Sequence, residues 1–84
     1  MSEHNNPLFN QSLEKGLAVL RGFGAARRTM NLADIAQVAG ISKSSAQRMV
    51  HTLEELGYIR KHPQSRRFQL TPKVMELGYN YLAA

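Results

Sequence analysis

Lys43, Ser44, Gln47, Arg48 and His51 recur at intervals of three and four residues, so on a helix they share one side. What unites them is a supply of hydrogen-bonding groups. The amide of Gln47 suits an adenine edge, Arg48 and Lys43 suit guanine, and the hydroxyl of Ser44 suits a base or a phosphate. No acid interrupts that side until Glu54. This is chemistry of recognition rather than of bond making. An ordinary solvated helix surface draws on the same residue types, so its surroundings must decide.

Bond-making chemistry finds little support. His4, His51 and His62 have neither mutual helical spacing nor a cysteine partner, so no metal site is predicted. Ser42 has no Ser-His-acid constellation and no glycine-rich phosphate loop around it, and helix capping explains it. Met49, Met75, Tyr58, Phe68, Tyr79 and Tyr81 follow the spacing of structural elements and read as packing residues rather than a ligand cage. No cofactor is expected, and the chain does not read as an enzyme.

The composition narrows the partner. Eleven Lys and Arg against six Asp and Glu leave a net charge of +5, with a pI near 10.1. Such an excess favours a polyanion, nucleic acid first and an anionic membrane surface second. No apolar run approaches the ~18 residues of a membrane-spanning helix. The 84 residues contain no Cys and suffice for one small domain. The opening MSEHNNPLFN has neither a basic region nor an apolar stretch of the kind a secretory signal carries, so a cytoplasmic location is expected.

Several elements must position the candidate side. Residues 1–11 are polar, include Pro7 and read as a flexible N-terminal arm. A first helix is expected from Ser12, as its cap, to Phe23, with Leu13, Leu17, Leu20 and Phe23 facing inward and Gly24 as its stop. After the basic link Arg27, Arg28 and Thr29, Asn31 caps a second helix with Asp34 three residues on. Met30 and Ile35 form its hydrophobic staple. Leu32, Ile35, Ala36 and Ala39 repeat along it, and Gly40 ends it. Ser42 caps a third helix over about Lys43–Leu56, closed by Gly57. The period then changes, since Tyr58–Lys61 and Arg67–Leu70 are β-prone runs flanking His62-Pro63-Gln64-Ser65-Arg66. Thr71-Pro72 starts a last helix carrying Val74, Met75, Leu77, Gly78, Tyr81 and Leu82.

Leu32–Leu56 meets the demands of a helix-turn-helix. Ala36 is small where the third helix must cross closely, Gly40 can take a left-handed turn, and Ile35, Ala39, Ile41, Ala46 and Met49 supply the seam. On the third helix Ala46, Met49, Val50, Leu53 and Leu56 face inward. The hairpin that follows stands where a wing would, with Arg60, Lys61, Arg66 and Arg67 on it. The predicted fold class is therefore mainly α with a small β-hairpin, a winged helix-turn-helix. Of the wing cations, Arg66 and Arg67 are the candidates for backbone phosphates or a minor groove, with Arg27 and Arg28 as further candidates.

Three segments, SLEKGLAVLRGF, LADIAQVAGISKSSAQRMVHTLEELGYI and FQLTPKVMELG, resemble in order and interval the N-terminal DNA-binding domain of IclR-type bacterial transcriptional regulators. The resemblance covers about residues 12–84 and includes the Leu-x-Lys/Arg-Gly-Leu-x-Val-Leu pattern at Leu13–Leu20. It implies double-stranded operator DNA, pseudo-palindromic, bound by a homodimer or a dimer of dimers. Ser44, Ser45, Gln47 and Arg48 match its recognition-helix positions and Arg66 and Arg67 its wing. The run Leu70–Tyr79 is similar to the branch that regulates aromatic-acid catabolism, such as protocatechuate and hydroxybenzoate pathways. The resemblance also implies a larger effector-binding domain beyond Ala84, taking a small molecule such as an aromatic acid.

Three divisions follow: a flexible arm at 1–11, a winged helix-turn-helix DNA-binding domain at 12–71, and at 72–84 a helix beginning the linker to the absent domain. By the resemblance, residues 8–23 are the candidate dimer contact. The rival from another class is a winged helix used as a protein-interaction module, with Tyr79, Tyr81 and Leu82 on its contact surface.

Overall fold

Helix boundaries in this chain are set by the groups that complete otherwise unsatisfied backbone donors and acceptors. The computed structural model describes residues 6–84, so residues 1–5 of the expected arm lie outside the described residues. The elements run α1 (Gln11–Gly22), α2 (Leu32–Ala39), α3 (Lys43–Glu55), β1 (Ile59–Lys61), β2 (Phe68–Leu70), a 3₁₀ turn (Pro72–Val74) and α4 (Met75–Ala83). This is the expected winged helix-turn-helix, four helices with one antiparallel hairpin.

The first helix departs from expectation in three ways. Asn10, rather than Ser12, is its cap, accepting the Leu13 N–H at 2.9 Å. A turn upstream delivers the chain to Asn10, since the Leu8 N–H donates to Asn6 Oδ1 at 2.8 Å and the Phe9 N–H to the Asn6 carbonyl at 2.9 Å. The expected stop at Gly24 is also displaced. The helix ends one residue earlier, where Phe23 is already extended (φ −80°, ψ 151°) and its side chain is in the core. Gly24 instead closes a tight turn with Arg27 through paired backbone hydrogen bonds of 3.2 and 3.1 Å. Finally, only part of the expected stripe of α1 turns inward, since Leu20 and Phe23 pack on the core but Leu13 and Leu17 do not. Val19, Gly22 and Phe23 are buried, whereas Leu13 and Leu17 are 62% and 47% exposed. Gly22 explains the choice, because a β-carbon there would stand 3.0 Å from Val38 Cγ1 on α2. Glycine at this one position lets the two helices approach closely.

The second and third helices follow the sequence signals. Asn31 accepts the Asp34 N–H at 2.8 Å while Asp34 accepts the Asn31 N–H at 3.4 Å, a reciprocal capping box. The staple residues Met30 and Ile35 are both buried. At the other end Gly40 is left-handed (φ 71°), with hydrogen bonds from its N–H to the Gln37 carbonyl and from Ile41 to Ala36. This doubly bonded left-handed ending recurs at Gly57 (φ 92°), where Gly57 bonds back to Glu54 and Tyr58 to Leu53. Leu56, expected to face inward, is 55% exposed. It is the C-cap just past the last residue of α3, where the chain is already turning toward Gly57.

The first three helices, the link before α2 and the hairpin share one core of Val19, Phe23, Met30, Ile35, Ala36, Ala46, Val50, Leu53, Ile59 and Phe68. Of the predicted seam, Ile35 and Ala46 are buried, while Ala39, Ile41 and Met49 pack against it half-buried. The hairpin pairs Ile59 with Leu70, Arg60 with Gln69 and Lys61 with Phe68. Hydrogen bonds from His62 to Arg67 and from Thr71 to Tyr58 extend the ladder by one pair at each end. Met30, read in sequence only as a staple, also bridges Phe68 through backbone hydrogen bonds of 3.0 and 2.8 Å, so it acts as a one-residue third strand.

Thr71 accepts the Lys73 N–H and donates its hydroxyl to the Gly57 carbonyl at 2.6 Å, fixing the last helix to the end of α3. The first turn of that helix, from Pro72, is 3₁₀. Beyond it the large apolar side chains of α4, Met75, Leu77, Tyr79, Tyr81 and Leu82, are exposed.

Glycine substitutions separate backbone from packing effects. Nothing lies within 4 Å of a β-carbon built on Gly40 or Gly24, but only Gly40 has a positive φ. Gly40→Ala should therefore lower stability by about 1–2 kcal/mol. Gly24→Ala should change it by less than about 0.5 kcal/mol, both read from urea denaturation.

Candidate nucleic-acid interface

The outer side of α3 is built from its start. The Ser42 hydroxyl accepts the Ser45 N–H at 3.1 Å, so the helix begins at Lys43 and the residues that follow are fixed in angular order. With Ala46, Val50 and Leu53 buried, the opposite side is left to Lys43, Ser44, Gln47, Arg48 and His51, all exposed. Ser44 Oγ lies 3.3 Å from Ser42 Oγ, which ties that hydroxyl to the cap. Ser45 is half-buried and sits at the edge of the array rather than within it. Thr52 donates its hydroxyl to the Arg48 carbonyl at 3.1 Å, leaving the guanidinium of Arg48 outside that bond.

The wing tip is organised by a residue singled out in sequence only to be dismissed as a metal ligand. His62 Nδ1 accepts the backbone N–H groups of Gln64 and Ser65, each at 3.2 Å. The turn is completed by the Arg66 N–H on the His62 carbonyl at 2.9 Å. Its consequence is an exposed Arg66 with left-handed backbone (φ 62°), the one such non-glycine among the described residues.

Arg66 and Arg67, adjacent and alike in sequence, occupy different environments. Arg67 is half-buried. Its Nε donates to Thr29 Oγ1 at 2.9 Å and its Nη2 to the Thr29 carbonyl at 3.1 Å. The same Nη2 stands 3.6 Å from Asp34 Oδ2. Neither Thr29 nor Asp34 was visible as a partner of the wing, since both are distant in sequence. Lys61 lies over the ring of its cross-strand neighbour Phe68, 5.2 Å from the centroid. Arg60 is exposed on β1.

The two arginines of the link also separate. Arg27 donates through Nε to the Gly22 carbonyl at 3.0 Å, closing the end of α1. Arg28 is exposed on the same turn. Among the described residues no group of three or more His, Cys, Asp or Glu is placed to hold a metal ion, and no helix is long and apolar enough to cross a membrane.

Comparison with known proteins bears on this geometry. The profile of the IclR helix-turn-helix domain matches residues 12–63. The chain is 37% identical over 79 residues to the Pca regulon regulatory protein of Pseudomonas putida, covering 94% of this chain and 26% of that protein. It is 36% identical over 72 residues to the glycerol operon regulatory protein of Streptomyces griseus, covering 86% and 28%. An IclR family transcriptional regulator from Brucella abortus superposes with a TM-score of 0.84 at 36% identity, over 93% of this chain and 30% of that one. The chain thus spans between a quarter and a third of the length of these relatives.

The unusual backbone of Arg66 gives a direct test of what that position is for. Arg66→Gly should leave stability unchanged or raise it by up to about 1 kcal/mol in urea denaturation, because glycine takes the left-handed conformation without strain.

Proposed function

The chain belongs to the family of IclR helix-turn-helix domains, DNA-binding parts of transcriptional regulators and not enzymes, and from that premise we propose that α3 enters the major groove of a specific operator while the wing follows the backbone. The observation that carries this reading is the exposed, acid-free side of α3 formed by Lys43, Ser44, Gln47, Arg48 and His51, with the basic hairpin following it. Gln47 and Arg48 have the donor and acceptor patterns to discriminate bases. Ser44, Ser45, Lys43 and His51 serve the groove walls, and Arg66, Arg27 and Arg28 are cations for phosphates. The role of Arg67 is taken up below.

In this reading residues 1–11 are an arm, 12–71 the DNA-binding domain and 72–84 the start of a linker. The chain acts as a homodimer or a dimer of dimers on a near-palindromic operator. Leu8, Leu13 and Leu17, exposed rather than packed inward, supply apolar surface within residues 8–23 for contact between copies. Two recognition helices would then lie about 34 Å apart, one helical turn of DNA or a multiple of it. A small-molecule effector, an aromatic acid by the similarity of residues 70–79, acts through chain beyond these 84 residues, in the cytoplasm.

A second reading is favoured by the exposed Tyr79, Tyr81 and Leu82 of α4, which would suit a protein-interaction module. The two separate on incubation of the chain with a random-sequence duplex pool at about physiological salt, followed by sequencing of the retained DNA. Enrichment of an inverted repeat supports dimeric operator recognition; a folded chain that enriches nothing supports the interaction module. With roughly six cationic contacts per domain, log affinity should fall with log salt at a slope near −5. Gln47→Ala or Arg48→Ala should cost about 1–3 kcal/mol and relax preference at one base position, whereas a change at Arg66 should weaken all sequences alike.

A further inference from the structure

Among the basic side chains of the wing, Arg67 alone reaches back to a distant element. Its Nε and Nη2 both donate to Thr29, and its charge faces Asp34. Asp34 is itself fixed, because its carboxylate accepts the Asn31 N–H in the capping box of α2. The anchoring point is therefore the first turn of the helix-turn-helix, not a mobile surface side chain. Next to Arg67, Phe68 is buried and pairs its backbone with Met30. The strand is thus held at adjacent residues, by backbone at Phe68 and by side chain at Arg67.

An ion pair between groups as exposed as these adds little to stability. What three converging contacts do supply is direction. The base of the ribbon is held by Ile59 and Phe68 in the core and by Thr71 on Gly57. The Arg67 contacts add a polar attachment, nearer the tip, to the segment before α2, and so restrain twist of the wing relative to α3.

On the DNA-binding reading, we propose that Arg67 is a positioning residue rather than a phosphate contact: through Thr29 and Asp34 it sets the angle at which the wing presents Arg66 and its strand cations to DNA. Turning the Nε–Nη2 edge of Arg67 to a phosphate would break its contacts with Thr29 and Asp34 and free a carboxylate near the polyanion. Arg66, one residue away and on the exposed side of the turn, bears no such constraint.

The sign of one substitution tests this. By simple electrostatics, removing an acid from a DNA-binding domain strengthens binding. If Asp34 acts through Arg67, Asp34→Asn instead weakens it. The measurement is fluorescence anisotropy of random-sequence duplex DNA titrated with the 84-residue chain over a range of salt. Asp34→Asn and Thr29→Val should each weaken binding about threefold to tenfold with the salt slope unchanged. Thr29→Ser, which restores the hydroxyl, should recover the affinity lost in Thr29→Val. Arg66→Ala, by contrast, should reduce the slope by about one.

Amide hydrogen exchange supplies a readout independent of DNA. In Asp34→Asn and Thr29→Val the Met30 and Phe68 amides should exchange faster while those within α3 stay protected, which also shows that the variants are folded. The proposal is overturned if Asp34→Asn binds as well as or better than the parent chain, if Arg67→Ala reduces the slope as Arg66→Ala does, or if exchange at Met30 and Phe68 is unaltered. Absence of binding by the parent chain at low salt would instead remove the DNA-binding reading itself.

Discussion

The left-handed backbone at Gly40 is the constraint on which the arrangement depends. It reverses α2 within a single residue, so that Ser42 can cap a new helix two positions later. Ile41 is thereby brought back to the Ala36 carbonyl, and the side chains of Ala36 and Ala46 enter one core. A helix crossing that includes residues as small as Ala36 and Ala46 brings the two backbones close, and close packing leaves little freedom in its angle. The direction of α3 follows from that angle, and so does the set of its residues left facing outward.

The hairpin is braced onto this unit at several levels. Phe68 contributes its ring to the core and its backbone to Met30, and Thr71 bonds the following turn to Gly57 at the end of α3. Removal of a buried phenylalanine typically costs about 3–5 kcal/mol, far more than any exposed ion pair contributes. Burial thus keeps the wing attached, while polar contacts determine how it is oriented. These two roles fall on adjacent residues of β2 and its entrance because successive side chains of a strand point to opposite faces.

Much of this was legible in the sequence where a local rule has one solution. Asn31 with Asp34, Ser42, Gly40, Gly57 and Thr71-Pro72 are punctuation whose meaning depends only on near neighbours, and the structure uses each as read. The first helix was less legible, because Asn10 and Ser12 are equally good caps and only the turn at Asn6 chooses between them. Of its expected inward side, Leu20 and Phe23 pack as read, but Leu13 and Leu17 do not. The deciding fact, the approach of Val38 to Gly22, lies on another helix. Met30 as a strand was invisible, since one residue has no periodicity. The division of labour between Arg66 and Arg67 was equally hidden: identical side chains diverge because one has a left-handed backbone at the tip and the other reaches Thr29, 38 residues away.

That same separation has a kinetic side. Pairing Met30 with Phe68 encloses the whole of α2, the turn and α3 within one loop of 38 residues. Closing a flexible chain of that length costs about 3 kcal/mol of loop entropy, but the cost falls sharply once the enclosed helices are formed and already bring the ends together. The helix-turn-helix is made of contacts short in sequence and is the natural nucleus; the third strand closes around it afterwards. In the folded state Ile59 and Phe68 keep the wing in the common core, so it opens only with loss of that burial. The late-closing strand therefore takes its place from the helices it encloses: the position of the hairpin is inherited from the packing of α2 on α3.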